Sequence, residues 1–280
     1  MRVLITGANG QLGSELCRAL TGDTIIAKDL PSFDLASEQV TEQIVEARPD
    51  VIIHAGAYTD VDGAEREPER ATAVNVSGTE RVARAAVRTG ARLVYVSTDY
   101  VFDGLQQVPY REQDIPHPVN HYGLTKWQGE QAVLSSGAKA LVVRTAWLFG
   151  RAGKNFVKSI MQAAQSQPCL KVVNDQRGCP TYAEDLARAV VFLLHRDVDG
   201  IVHVTNSGAC TWHEFAEAIV QEMGLAVPVL PITTGQAGRL AKRPAYSVLS
   251  GERLASLGRA LPDWRQALKR FVQLQSHALA

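Results

Sequence analysis

Cysteine is scarce in this chain: four residues, Cys17, Cys169, Cys179 and Cys210, among 280. They form no C-x-x-C pair and none stands at metal-ligand spacing from a histidine, which argues against a disulfide scaffold or a zinc site and fits reduced thiols. Net charge is missing too, because 29 Lys+Arg balance 29 Asp+Glu. A balanced chain has no long-range attraction for a polyanion, so no nucleic-acid partner is expected. No apolar run approaches the roughly 18 residues needed to cross a bilayer, so no membrane partner is expected either. The opening MRVLITGANG passes from a short apolar run into glycines without an h-region or cleavage site, and a cytoplasmic location is expected. Internal repeats and low-complexity segments are absent.

What is present is a rhythm. Val3–Ile5, Thr24–Ala27, Val51–His54, Leu93–Ser97 and Leu141–Thr145 are short, apolar and rich in β-branched residues, as buried strands are. Helix-period segments lie between them at Gly13–Leu20, Ser37–Ala47, Glu69–Thr89 and Gly123–Ser136, with Gly90 as a helix stop. Strand and helix in repeated alternation predict right-handed crossovers and a parallel sheet covered on both faces. Beyond Thr145 the pattern loosens into helices over Asn155–Gln165, Ala183–His195 and Thr211–Met223, with one more strand at Ile201–Val204. Thr211 with Glu214 has the spacing of a capping box. Ala226–Pro244, punctuated by Pro and Gly, is expected to wind over the surface.

Directly after the first strand comes Gly7-Ala8-Asn9-Gly10-Gln11-Leu12-Gly13, a G-x-x-G-x-x-G turn that opens a helix. Such glycines allow a tight turn, let a pyrophosphate approach the helix N-terminus, and let helix pack closely on strand. Its place between strand and helix makes it a dinucleotide-binding candidate, against a purely structural turn. Asp29, ending the second strand, stands where a carboxylate binds adenosine ribose hydroxyls and repels a 2′-phosphate, which leans towards NADH; Lys28 beside it softens that preference. The alternative is a solvent-facing loop pair. Asp34 and Leu35 are candidates to flank the adenine, and Gly56, Ala57 and Tyr58 to line the other side of the cofactor. The fold expected is α/β, a Rossmann-type doubly wound parallel sheet with a smaller C-terminal substrate-binding lobe. Residues 1–148 and 180–205 are assigned to the sheet domain, and 149–179 and 206–280 to the lobe.

The chemistry-bearing residues fall at the carboxyl ends of later strands. Tyr122 and Lys126 form Tyr-x-x-x-Lys, and at i and i+4 they share one helix face. An ammonium near a phenol is expected to lower its pKa from about 10, so that it exchanges protons near neutrality. The pair alone recurs by chance; its weight comes from following Ser97-Thr98-Asp99 at the end of the fourth strand. Thr98 is a candidate hydrogen-bond donor to a carbonyl oxygen that develops charge, or else a strand-end cap. Asp99 either holds substrate hydroxyls or caps the turn.

Taken together these residues resemble the extended short-chain dehydrogenase/reductases. Ser97-Thr98-Asp99-Tyr100-Val101-Phe102-Asp103-Gly104 resembles the signature of the dTDP-4-dehydrorhamnose reductases, as do Val143–Trp147, Asn174–Thr181 and Arg243-Pro244. The similarity runs from Met1 to the Leu261–Trp264 stretch. It implies Thr98, Tyr122 and Lys126 as catalytic residues, with Lys126 also on the nicotinamide ribose. It implies NADPH or NADH held by Gly7, Gly10, Gln11, Leu12, Gly13, Asp29, Asp34, Leu35, Gly56, Ala57 and Tyr58, with Tyr122 and Lys126. A dTDP-sugar would meet Thr98, Asp99, Trp147 and Arg243, and Arg177 and Arg239 are further candidates for its diphosphate. Trp147 read alone, a tryptophan after a strand, is more often core packing than a ligand wall. Some members form Mg²⁺-linked dimers through glutamates; Glu15 and Glu184 match part of such a site without a clear third ligand, so a monomer or a homodimer stays open and no metal residue is assigned. Two rivals are a sugar-nucleotide epimerase or dehydratase, which holds NAD⁺ tightly, and a non-catalytic regulatory subunit like that of methionine adenosyltransferase. Tyr100 stands where a dehydratase tends to carry glutamate, and the intact Thr98, Tyr122 and Lys126 weigh against pure regulation.

Overall fold

The computed structural model describes the backbone of residues 1–279 and side chains as far as Gln275. Strands β1 (Arg2–Thr6), β2 (Thr24–Lys28), β3 (Val51–His54), β4 (Arg92–Thr98) and β5 (Ala140–Thr145) join the later strand Gly200–His203 in a six-stranded sheet. Every neighbouring pair is parallel. The spatial order is β2, β1, β3, β4, β5 and Gly200–His203. The order of connection reverses between β1 and β3, and at such a switch point the carboxyl ends of the strands open a crevice.

Alternation along each strand supplies two apolar faces. Val3, Ile5, Ile53, Val94, Leu141 and Val143 face one way, packed with Leu12 and Leu16 of α1 (Gln11–Ala19) and with Leu186 and Val190 of a later helix, Ala183–Leu194. Leu4, Ile52, Leu93 and Val142 face the other way, onto α2 (Val40–Ala47) and Val82 and Ala86 of the helix Gly78–Thr89. Each fully buried aliphatic side chain contributes about 1.5–3 kcal/mol, so a one-residue slip in register would turn both faces against the fold. A separate aromatic core of Phe149, Tyr182, Phe215, Trp264 and Phe271 unites the helices Phe156–Ser166, Trp212–Glu222 and Trp264–Leu279. Among the described residues no helix is long and apolar enough to cross a membrane.

Two stretches depart from the sequence reading. The helix expected over Glu69–Thr89 is broken. After α3 (Val61–Arg66) come α4 (Pro68–Thr72), a π-helical turn at Ala73–Ser77, and α5 (Gly78–Thr89), which ends on Gly90 at φ +69°. The bulge turns Asn75 inward, where its amide holds the Tyr58 backbone at 2.8 and 3.0 Å and donates to Thr125 Oγ1 at 3.0 Å. Ala226–Pro244 is not all loop either. Val229–Ile232 pairs in parallel with Leu170–Val173, and a short helix follows at Thr234–Ala237. Pro228 and Pro231 hid that edge strand, because proline is tolerated only where a ladder N–H is dispensable.

Helix α6 (His121–Leu134) carries Tyr122 and Lys126. Asn120 caps it, accepting from the Gly123 amide at 2.7 Å. One turn beyond Lys126, Glu130 accepts two hydrogen bonds from Arg144 of β5, at 2.8 and 2.7 Å, and both side chains are fully buried. A buried pair strands its partner when one member is removed. Glu130→Gln is therefore expected to destabilise the protein by about 3–5 kcal/mol in chemical denaturation. A loss under about 1 kcal/mol would show that the pair does not anchor α6.

Candidate active site

The glycine turn is built by backbone passing against backbone. A Cβ on Gly13 would lie 2.1 Å from the Gly7 carbonyl oxygen, and one on Gly7 (φ +68°) 2.7 Å from Gly56 Cα. No larger residue fits either place. Helix α1 begins without a side-chain cap, so its first-turn amides and dipole are available to an anion. Asp29 braces this turn by accepting from the amides of Asn9 at 2.7 Å and Leu30 at 2.8 Å.

From there a cleft of about 860 Å³ runs along the carboxyl edge of the sheet. Gly7, Gly10, Gln11, Leu12, Gly13, Asp29, Asp34, Leu35, Gly56 and Ala57 line one end, and Thr98, Asp99, Tyr122, Lys126 and Trp147 the other. Parallel pairing sets Thr98 beside Thr145 at that second end. Tyr58 and Arg243 are not on the cleft wall. The Tyr58 hydroxyl donates to Glu67 at 2.8 Å, and Arg243 pairs with Asp62 at 3.1 Å. Arg177 and Arg239 also stand apart, near Glu214 at 3.6 Å and Asp62 at 3.7 Å.

Sequence reasoning missed several wall residues. Ser97 and Thr145 end β4 and β5, and the strand-end rule could have found both. Lys154, Asn155 and Trp212 also line the cleft but come from outside the sheet, where no local signal marks them. Trp212 stacks on Trp147 at 3.5 Å with planes 6° apart. Trp147 adopts φ +45°, costly for a bulky residue, and Gly178 leaves room beneath its ring. Gln11 Oε1, Ser97 Oγ and Thr145 Oγ1 are buried without a partner among the described residues. Orphaned polar atoms at a glycine cradle fit a dinucleotide.

Burial governs the ionisable groups. It pushes the Asp99 carboxyl up to about 6, although Ser247 and Thr98 donate to it. It lowers Lys126 to about 7, with Glu130 acting in the opposite sense. The Lys126 ammonium lies 4.1 Å from the centre of the Tyr95 ring. The phenol of Tyr122 is pushed well above its ordinary value by burial, and hydrogen bonding with Thr98 only partly offsets this. The expected lysine-lowered phenol is thus reversed: desolvation outweighs the effect of Thr98, Asp99 adds to the rise, and the phenol keeps its proton at pH 7.

Comparison with known proteins now decides the family. The RmlD substrate binding domain family matches residues 1–276. The spore coat polysaccharide biosynthesis protein SpsK of Bacillus subtilis (strain 168) is 41% identical over 280 residues, 99% of each chain. The dTDP-4-dehydrorhamnose reductase of Mycobacterium tuberculosis (strain ATCC 25618 / H37Rv) is 42% identical, covering 95% of this chain and 91% of its own. The crystal structure of dTDP-4-dehydrorhamnose reductase from Bacillus anthracis str. Ames in complex with NADP superposes with a TM-score of 0.94 at 42% identity, covering 97% and 98%. The chain belongs to the dTDP-4-dehydrorhamnose reductase family.

The divalent metal of some family members does not fit the residues here. Glu15 is buried and paired with Arg18 at 3.1 Å and Arg151 at 3.4 Å. Glu184 is paired with Arg151 and Arg188. A guanidinium already stands between the two carboxylates, and among the described residues no cluster of His, Cys, Asp or Glu could hold a metal ion.

Proposed function

We propose that this chain is an NAD(P)H-dependent dTDP-4-dehydrorhamnose reductase, which reduces the C4 ketone of dTDP-4-dehydro-β-L-rhamnose to dTDP-β-L-rhamnose in the cytoplasm. The observation that carries this reading is the sharing of one cleft by the glycine turn and by Thr98, Tyr122 and Lys126. The glycine cradle, the α1 amides and Asp29 would hold the dinucleotide, which supplies hydride when bound. Tyr122 gives its phenolic proton to the C4 oxygen, Thr98 steadies that oxygen, and Lys126 holds the nicotinamide ribose through its ammonium. The lobe of residues 149–179 and 206–280, of which Ala280 lies outside the described residues, would carry the sugar nucleotide against Trp147. An apolar indole face suits a deoxysugar ring.

A coupled assay tests this directly. With dTDP-4-dehydro-L-rhamnose generated in situ, the wild type is expected to oxidise NADPH or NADH, and Tyr122→Phe to lose about a hundredfold in kcat. A wild type that binds cofactor but never oxidises it would favour the regulatory-subunit reading. The pH dependence follows from Lys126. Its pKa is depressed to about 7, so its charge is present below that pH and lost above it. Cofactor affinity of the free enzyme is therefore expected to weaken as pH rises through about 7, and to stay flat in Lys126→Arg, whose charge persists. Fluorescence titration of NADPH reads both; a flat wild-type profile would remove the ammonium from cofactor binding.

A further inference from the structure

The segment 239–243 crosses the substrate end of the fold and is fastened at two places. Asn120, the cap of α6, donates to the Lys242 carbonyl at 2.8 Å. On the other side stands Asp62, the second residue of α3. Its Oδ1 accepts from the Ala241 amide at 3.0 Å and from Arg243 Nη1 at 3.1 Å, and Arg239 lies 3.7 Å from Oδ2. Asp62 and Arg243 are each only 15% exposed. Burial alone would raise the Asp62 carboxyl; Arg243 and the Ala241 amide bring it below its usual value.

Arg243 does not reach the cleft, but its neighbour does. Burial raises the Tyr100 phenol and the nearby Arg243 charge offsets part of that rise, and Tyr100 is on the cleft wall. The Tyr100 ring meets Tyr122 edge-on, 5.7 Å between centres at 73°. The Tyr100 carbonyl fills the space over Gly123, next to Tyr122 on α6. Asp62, the 241–243 backbone and Asn120 thus connect α3 to the first turn of the helix that carries Tyr122.

We propose that Asp62 is a positioning residue for the reduction: by fixing the 241–243 backbone, whose Lys242 carbonyl holds the Asn120 cap of α6, it sets the Tyr122 phenol where the substrate oxygen is protonated. The role rests on the reductase reading. It predicts an effect on the chemical step, since misplacing a reacting group by a fraction of an ångström lowers turnover without touching the cofactor cradle. A tie that merely joined two parts of the fold would instead lower stability and cofactor affinity together.

Steady-state kinetics with the ketosugar nucleotide and NADPH separate the two. Asp62→Asn and Arg243→Met are each expected to lose about tenfold in kcat, with NADPH affinity within about twofold of wild type. The double variant is expected to be no worse than the poorer single one, because both act through one chain of contacts. Asp62→Glu should recover most of the loss. Should Asp62→Asn fail to fold, Asn120→Asp keeps the acceptor that caps α6 but removes the donor to the Lys242 carbonyl, and should show the same loss. An unchanged kcat, additive losses in the double variant, or a parallel loss of NADPH affinity overturns the role. An inactive wild type overturns the reductase reading and this role with it; an active wild type with unaffected Asp62→Asn and Asn120→Asp overturns the role alone.

Discussion

Helix α6 is pressed against its surroundings at two glycines without room for an added methyl group, and the position of Tyr122 and Lys126 follows from that seat. A Cβ on Gly123 would lie 2.1 Å from the Tyr100 carbonyl oxygen, and one on Gly129 2.3 Å from the Tyr95 hydroxyl. Close packing of this kind fixes rotation about the helix axis as well as height above the sheet. The buried Glu130–Arg144 pair locks the same helix to β5 one turn later. Tyr122 and Lys126 therefore meet the end of β4, where Thr98 and Asp99 leave the sheet. At the opposite end of the cleft, glycine backbone on glycine backbone does the same for α1.

Burial makes these groups differ from their counterparts in water. Burial raises Tyr122 and Asp99 and lowers Lys126, so each is driven towards its neutral form. For Asp99, whose folded pKa of about 6 exceeds the ordinary 3.8, the buried carboxylate costs the fold stability, and the loss develops as pH rises from the lower value through the higher. Thr98 and Ser247 offset part of this by donating to its two oxygens. A site of this kind suits a phenol that must carry its proton until a substrate oxygen takes it.

The sheet was legible because its strands are short, β-branched and separated by helix-period segments; all six expected strands occur. The glycine turn was legible because its spacing belongs to one geometry. Other features left no local trace. The π-helical turn at Ala73–Ser77 is set by what Asn75 reaches, not by its own propensity. Trp212 meets Trp147 across 65 positions of sequence, and Arg243, whose type suggested a phosphate contact, is held by Asp62 instead. The direction of the Tyr122 shift also escaped, because the lysine neighbour is visible in sequence while the extent of desolvation is not. Tertiary contact decided each of these.

Net transfer of hydride from added cofactor to the sugar sets a reductase apart, since neither an epimerase, a dehydratase nor a regulatory subunit performs it. The most direct measurement is isotopic: incubate the protein with dTDP-4-dehydro-L-rhamnose and NADPH deuterated at the transferred position, then examine the sugar by mass spectrometry and NMR. The expected product of the reductase is dTDP-L-rhamnose carrying one deuterium, at C4. Product without deuterium, or deuterium at another carbon, would contradict it.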